Sequence, residues 1–312
     1  MTTAPSLFDL QVNGFAGVDF QRLELTVGEL RRALVALREH QTHRILLTLI
    51  SDEIDALCRK FEHVEELRAA DPLIADTVCG YHLEGPWLSA TEGYCGAHRS
   101  NVQRAPAWTD FRRLQEAARG RIRLVTLAPE WPGSAEFIAA LVTSGVVVSL
   151  GHTDASEQQI DQAIHAGATL CTHLGNGVPQ SLPRHDNVVQ RLLARDELTA
   201  CFIPDGVHLP PFVLRNFFRA KPALKVILTT DAMAAAGAPP GRYTLGDTEV
   251  ESRDGAVRKP GRPNLAGSAL SPDAGVANAT RWLGISPLEA RALFSTRVAE
   301  LFDVELPQIS FP

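Results

Sequence analysis

The chain has 312 residues, 45% of them hydrophobic, with 30 Lys and Arg against 36 Asp and Glu for a formal charge of -6. That supports one large domain or two small ones. The acidic balance excludes the electrostatic footprint of a nucleic-acid or anionic-membrane binder. No run approaches the ~20 apolar residues of a membrane span, and MTTAPSLFDLQ lacks the regions of a signal peptide. The five cysteines (Cys58, Cys79, Cys95, Cys171, Cys201) form no C-x-x-C pair and are odd in number. Reduced thiols in a soluble cytoplasmic protein are the expectation.

The first element is FDLQVNGFAGVDF (8–20), an apolar alternation that breaks at Asn13-Gly14 into a tight turn. Many metal hydrolases built on barrels carry two histidines one residue apart at the end of such a strand; here the positions hold Gln11 and Asn13. Further apolar runs follow at 44–50, 77–83, 122–128, 146–150, 169–174, 199–203 and 226–230. Amphipathic stretches alternate with them, at 26–40, 53–70, 111–120 and 154–167, the last with a capping-box spacing from Asp154 to Glu157. Near-continuous apolar strands separated by helices predict a parallel sheet covered on both faces. Eight units predict a (β/α)8 TIM-like barrel. A doubly wound sheet is the alternative, but no G-x-G-x-x-G follows the first strand and no G-x-x-x-x-G-K occurs. Residues 232–266, rich in Gly and Pro, read as a β-hairpin inserted after strand eight, over the C-terminal face of the barrel. Helices are expected at 271–283 and 287–300.

A barrel places its chemistry at the C-terminal strand ends. In chain order those ends carry Gln11 and Asn13, Glu84, Glu130, His152, His173, Asp205 with His208, and Asp231. A lone His or Asp after a strand is usually a cap or turn former; several on separate strands converge on one region. Glu84, His152 and His173 supply one oxygen and two imidazoles, the composition of a catalytic zinc site with an open position. Asp231 is left as general base and later acid. His165 and His185 read as surface residues, Glu130 as a loop-orienting or capping group, and His82 as a neighbour of Glu84 on the same strand face. None of the four lysines (Lys60, Lys221, Lys225, Lys259) sits at a strand end, which weakens both a lysine-bridged metal pair and a Schiff-base mechanism.

At these residues the sequence resembles the amidohydrolase superfamily, and within it the N-acetylglucosamine-6-phosphate deacetylases. The matching pieces run in order: DLQVNGFAGVDF, HLEGP, GAH (96–98), GHTDAS, THLGNGVP, DGVHL, TTDAMAAAG and LAGSALS (265–271). The resemblance implies one divalent metal, zinc or iron, on Glu84, His152 and His173. It implies that Asp231 deprotonates the metal-bound water attacking the acetamide and then protonates the departing amine. His98 would polarise the carbonyl, and Asn176 and Gly177 would contact substrate. Arg184 and His208 would hold the sugar phosphate, the arginine reaching into a neighbouring subunit of a homodimer. Gln11 would line the substrate site, its Gln-x-Asn replacing the second metal position. Family members usually add a small β-sandwich from both termini; here a single barrel over 1–312 is expected, without it. Gly175, Gly177-Val178 and LPRHDN around Arg184 depart from the family pattern, so the hydrolytic chemistry is more secure than the sugar. Two other readings stay open: hydrolysis of another N-acyl sugar or N-acyl amino acid without phosphate, and a non-catalytic sugar-phosphate-binding barrel.

Overall fold

The computed structural model describes residues 2–262 and 264–311; Met1, Pro263 and Pro312, which fall within the domain and insertion expected above, lie outside them. Eight strands form one sheet in chain order: Leu7–Val12, Thr42–Ile50, Val78–Glu84, Ile122–Leu127, Val147–Leu150, Leu170–Cys171, Thr199–Phe202 and Val226–Leu228. Every neighbouring pair is parallel. The first and last strands meet just past the eighth, where Val12 bridges Ala232 in parallel and the Asn13 N–H donates to the Ala232 carbonyl at 2.7 Å. The sheet is therefore a nearly closed barrel, as the eight apolar runs predict.

Alternation along the strands sorts the core into two faces. Leu47, Leu49, Tyr81, Leu83 and Val125 pack outward against the helices. Phe8, Leu10, Leu46, Leu124, Leu170, Cys201 and Ile227 form a separate cluster with Val298 and Phe302. The helix Thr296–Phe302 thus stoppers the end of the barrel away from the site, with the Phe8 and Phe302 rings 5.8 Å apart. Above this plug lies a polar layer. His82 meets the Thr126 hydroxyl at 2.7 Å and the Thr48 hydroxyl at 3.3 Å, and the Thr172 hydroxyl meets those of Thr126 and Ser149 at 2.6 Å each. Burial pushes the His82 imidazole down to about 4, so it is a neutral hydrogen-bonding partner.

Several boundaries differ from expectation for local reasons. The helix expected at 154–167 runs Glu157–His165, and its capping box is Ser156 with Gln159, because Asp154 is drawn into the preceding loop by Glu130 and Tyr94. The region expected as a hairpin is a three-stranded antiparallel sheet, Gly241–Leu245, Thr248–Arg253 and Ala256–Arg258. The helix expected at 287–300 divides into Pro287–Leu293 and Thr296–Phe302. Thr2–Pro5 pairs antiparallel with Gln308–Phe311, a long-range pairing that the periodicity does not signal.

One helix contact sets a pH dependence. His40, capping Val27–Glu39, meets Asp273 at 2.9 Å in the first turn of Pro272–Ala279. The Asp273 hydrogen bond raises the His40 imidazole above its ordinary 6.5 against the pull of burial. Asp273 falls to about 2, because hydrogen bonds from His40 and Ser271 outweigh its burial. The raised His40 contributes stability that is complete below pH 6.5 and lost as pH rises through its folded value. With both side chains about a third exposed, the pair contributes no more than about 1 kcal/mol. In urea unfolding, His40→Asn should lower the midpoint at pH 6, and the gap from wild type should close by pH 9.

Candidate functional site

Glu84 ends the third barrel strand, and His152, His173 and Asp231 follow the fifth, sixth and eighth by two or three residues. The backbone at those last three positions is left-handed, with φ of +52°, +28° and +50°. Non-glycine residues rarely adopt this conformation, and it costs about 1–3 kcal/mol each. Here it turns three side chains from three strands toward the barrel axis. All four are buried and share the wall of one cavity of about 380 Å³ at the C-terminal mouth.

Glu84 Oε1 lies 3.0 Å from His173 Nε2 and 3.3 Å from His152 Nε2, and the two Nε2 atoms are 3.2 Å apart. Donors about 2.0–2.1 Å from a tetrahedral centre sit about 3.3 Å from one another, so these edges fit one cation. His152 Nδ1 bonds the Tyr94 carbonyl at 2.8 Å. A carbonyl only accepts, so Nδ1 carries the proton of that bond and Nε2 is the atom left to face the carboxylate, as a metal-binding histidine would present it. Glu84, His98 and His152 likewise hold donor atoms within 4.8 Å of one another. A buried cluster able to hold a divalent cation is thus present. The His173 set is the tighter, since His98 Nε2 stands 3.7 Å from the other carboxylate oxygen.

The ring of His152 has no room to move. A Cβ on Gly96 would sit 2.8 Å from its Cε1 and one on Gly177 would sit 2.7 Å from its Nδ1; both glycines have positive φ. Sequence reasoning expected Gly177 as a substrate contact; it lines the cavity and also walls in this imidazole.

The first strand answers the question raised by its missing histidines. Past a register shift between Asp9 and Val12, Gln11 Nε2 donates to Glu84 Oε2 at 3.1 Å. Asn13 Nδ2 donates to Asp231 Oδ1 at 2.7 Å. Each amide therefore holds one oxygen of one carboxylate. Gln11 is fully buried behind Glu84 and is absent from the residues lining the cavity, whereas Asn13 lines it.

Electrostatics separates the two carboxylates. Burial alone would raise Glu84, but the imidazoles of His152 and His173 hold it well below the ordinary carboxylate value. Burial, then the charge of Glu84, pushes Asp231 up to about 7 against His173, His208 and Asn13. Burial and the neighbouring His152 push His98 down to about 3. Two carboxylates driven apart in this way are the pattern of a structural ligand beside an acid–base group.

The remaining expected residues divide. His98 is buried in the cavity wall, its Nδ1 3.0 Å from the Ser51 hydroxyl and 3.4 Å from the Ser51 N–H. Asn176 lines the cavity and donates to the His173 carbonyl at 3.0 Å. His208 lines it too, held at 2.6 Å by Asp205. Arg184 is exposed and is not among the residues lining the cavity of its own chain. Glu130 orients a loop, accepting from the Thr153 hydroxyl and from the Asp154 N–H at 3.1 Å. His165 and His185 are exposed. Sequence reasoning missed Tyr94, whose carbonyl carries no side-chain signal, and Arg258, which reaches the cavity from the insertion.

No protein-family model matches the chain. The N-acetylglucosamine-6-phosphate deacetylase of Bos taurus is 35% identical over 314 residues, covering 97% of this chain and 75% of that protein. The N-acetylgalactosamine-6-phosphate deacetylase of Shewanella sp. (strain ANA-3) is 32% identical over 310 residues, covering 99% and 75%. Among solved structures, a variant of the N-acetyl-D-glucosamine-6-phosphate deacetylase of Mycobacterium smegmatis, in complex with N-acetyl-D-glucosamine-6-phosphate, superposes with a TM-score of 0.87. It is 31% identical, and the match covers 97% of this chain and 78% of that one. With that identity spanning nearly all of its residues, the chain belongs to the N-acetylglucosamine-6-phosphate deacetylase family.

Proposed function

We propose that the protein is a metal-dependent hydrolase that removes the acetyl group from an N-acetylated amino sugar 6-phosphate. One observation carries the reading: a carboxylate and two imidazoles at mutual distances of 3.0–3.3 Å share a cavity with a second carboxyl group poised near neutrality. A sugar-binding module needs no such base. Glu84, His152 and His173 would hold the ion, zinc or iron. When bound, it supplies Lewis-acid activation of water and of the amide carbonyl.

The chain's own residues do the rest. Gln11 occupies Oε2 of Glu84 and leaves Oε1 toward the imidazoles; Asn13 occupies Oδ1 of Asp231 and leaves Oδ2 for the proton. Asp231 takes a proton from the hydrolytic water as the water oxygen bonds to the acetamide carbon. It returns the proton to the nitrogen as the C–N bond breaks, giving acetate and the free amine. The Ser51 N–H directed at His98 Nδ1 favours the tautomer with a proton on Nε2, a donor for the carbonyl oxygen. Asn176, Gly177 and His208 form the sugar side of the cavity. Five free thiols among the described residues support a cytoplasmic setting, and no helix among those residues is long and apolar enough to cross a membrane.

The test is acetate release from N-acetylglucosamine and N-acetylgalactosamine, each with and without the 6-phosphate, using chelated protein and protein reloaded with zinc or iron. Metal-dependent turnover of a 6-phosphate, far above its unphosphorylated parent, is expected. A protein that hydrolyses neither phosphate with any metal would overturn the reading.

A further inference from the structure

Asp9, two residues before Gln11 on the first barrel strand, is a fully buried carboxylate outside the cavity wall. Its bonds among the described residues come from neutral donors, most of them across the seam where the first strand meets the end of the eighth. Oδ1 accepts from the Gln11 N–H at 3.2 Å and from the Thr229 hydroxyl at 2.6 Å. Oδ2 accepts from the Thr230 hydroxyl at 2.5 Å and from the Thr230 N–H at 3.2 Å. Burying a carboxylate on neutral partners is costly, and this one grips the two residues that precede Asp231.

The grip passes on through Thr230. Its hydroxyl proton goes to Asp9, because a carboxylate only accepts, and its oxygen then receives the Ala232 N–H at 3.0 Å. Asp231 thus stands between two residues tied to one carboxylate, Thr230 directly and Ala232 through the Thr230 hydroxyl. Ser268 completes the turn, its hydroxyl donating to the Thr230 carbonyl at 2.5 Å and its N–H to the Asp231 carbonyl at 2.9 Å. Asp231 has a left-handed backbone, with φ of +50°, and a residue with a side chain leaves that conformation unless its surroundings hold it.

We propose that Asp9 is a positioning residue for the reaction: by gripping Thr230 across the barrel seam, it holds the left-handed turn that presents Asp231 to the cavity. This rests on the proton-transfer role of Asp231 proposed above. Thr230→Val removes the relaying hydroxyl at constant shape and leaves the Asp9 bond to Gln11 in place. It should lower kcat about tenfold or more, with KM within about twofold and metal still at about one per chain. Asp9→Asn, which sets an amide N–H group against the donors at one end, should do the same. Thr230→Ser restores the hydroxyl and should keep kcat within about threefold of wild type. In an Asp231→Asn background, adding Thr230→Val should change the residual kcat by less than about twofold. Amide hydrogen exchange over residues 229–233, read by mass spectrometry, should quicken about tenfold or more in Thr230→Val.

An equal loss of kcat in both backgrounds would show a general loosening of the barrel and overturn the proposal. So would wild-type kcat or unchanged exchange in Thr230→Val, or a loss of metal that tracks the loss of kcat. The Thr230 variants decide the matter if Asp9→Asn does not fold. Faster exchange in Thr230→Val, in a protein whose wild type hydrolyses neither sugar phosphate, would count against the deacetylase and leave the grip on the turn standing.

Discussion

Replacing Asp231 with asparagine should lower kcat by roughly 10²–10⁴-fold while the metal content stays at one per chain. The substitution keeps an Oδ1 for the Asn13 amide, whose bond at 2.7 Å fixes the side chain. It removes the one oxygen able to take and return a proton. Because the ion is assigned to Glu84, His152 and His173, its affinity should change little, and so should KM. Acetate release under saturating substrate, with metal measured on the same preparation by mass spectrometry, checks both halves. Activity within a few-fold of wild type would remove Asp231 from the proton path. Loss of the metal would instead make it a ligand.

Glu84→Gln should take the bound metal from about one per chain to less than about a tenth, with activity falling in proportion. The Glu84 carboxylate is the one that meets both imidazoles within 3.3 Å, and a neutral amide offers a divalent cation far less. Folding should survive, since an amide can still accept from Gln11 at 3.1 Å and turn its N–H groups toward His152 and His173. His98→Asn is the companion measurement. Although His98 belongs to an alternative cluster with Glu84 and His152, this variant should retain the metal and lose turnover. Equal loss of metal in both variants would make His98 a ligand and exchange its role with that of His173.

Much of this site is legible along the chain because a barrel strand announces itself twice. Its body is an apolar run, buried on both faces, and a titratable side chain stands at its end or within the next three residues. Glu84, His152, His173 and Asp231 were reachable by that rule, and all four line one cavity. The departures have local causes. Asp154 and Glu157 have the spacing of a capping box, yet Ser156 and Gln159 form it, because Glu130 and Tyr94 compete for Asp154. The three-stranded insertion was half visible, since Ala256–Arg258 is too short to show alternation.

The sequence alone determined the eight-unit parallel architecture, the strand ends that carry chemistry and the donor set available for a metal. These are properties of residue type and short spacing, and burial periodicity records them within a few residues. Only the tertiary structure decided what each polar group meets. Gln11 finds Glu84 across 73 residues and Asn13 finds Asp231 across 218. The insertion carries Arg258 to the cavity while Arg184 faces solvent. Such pairings depend on barrel closure and on left-handed turns at three strand ends, and neither leaves a periodic trace in the chain. The histidines absent from the first strand are thus replaced by two amides, each bonded to one carboxylate of the site.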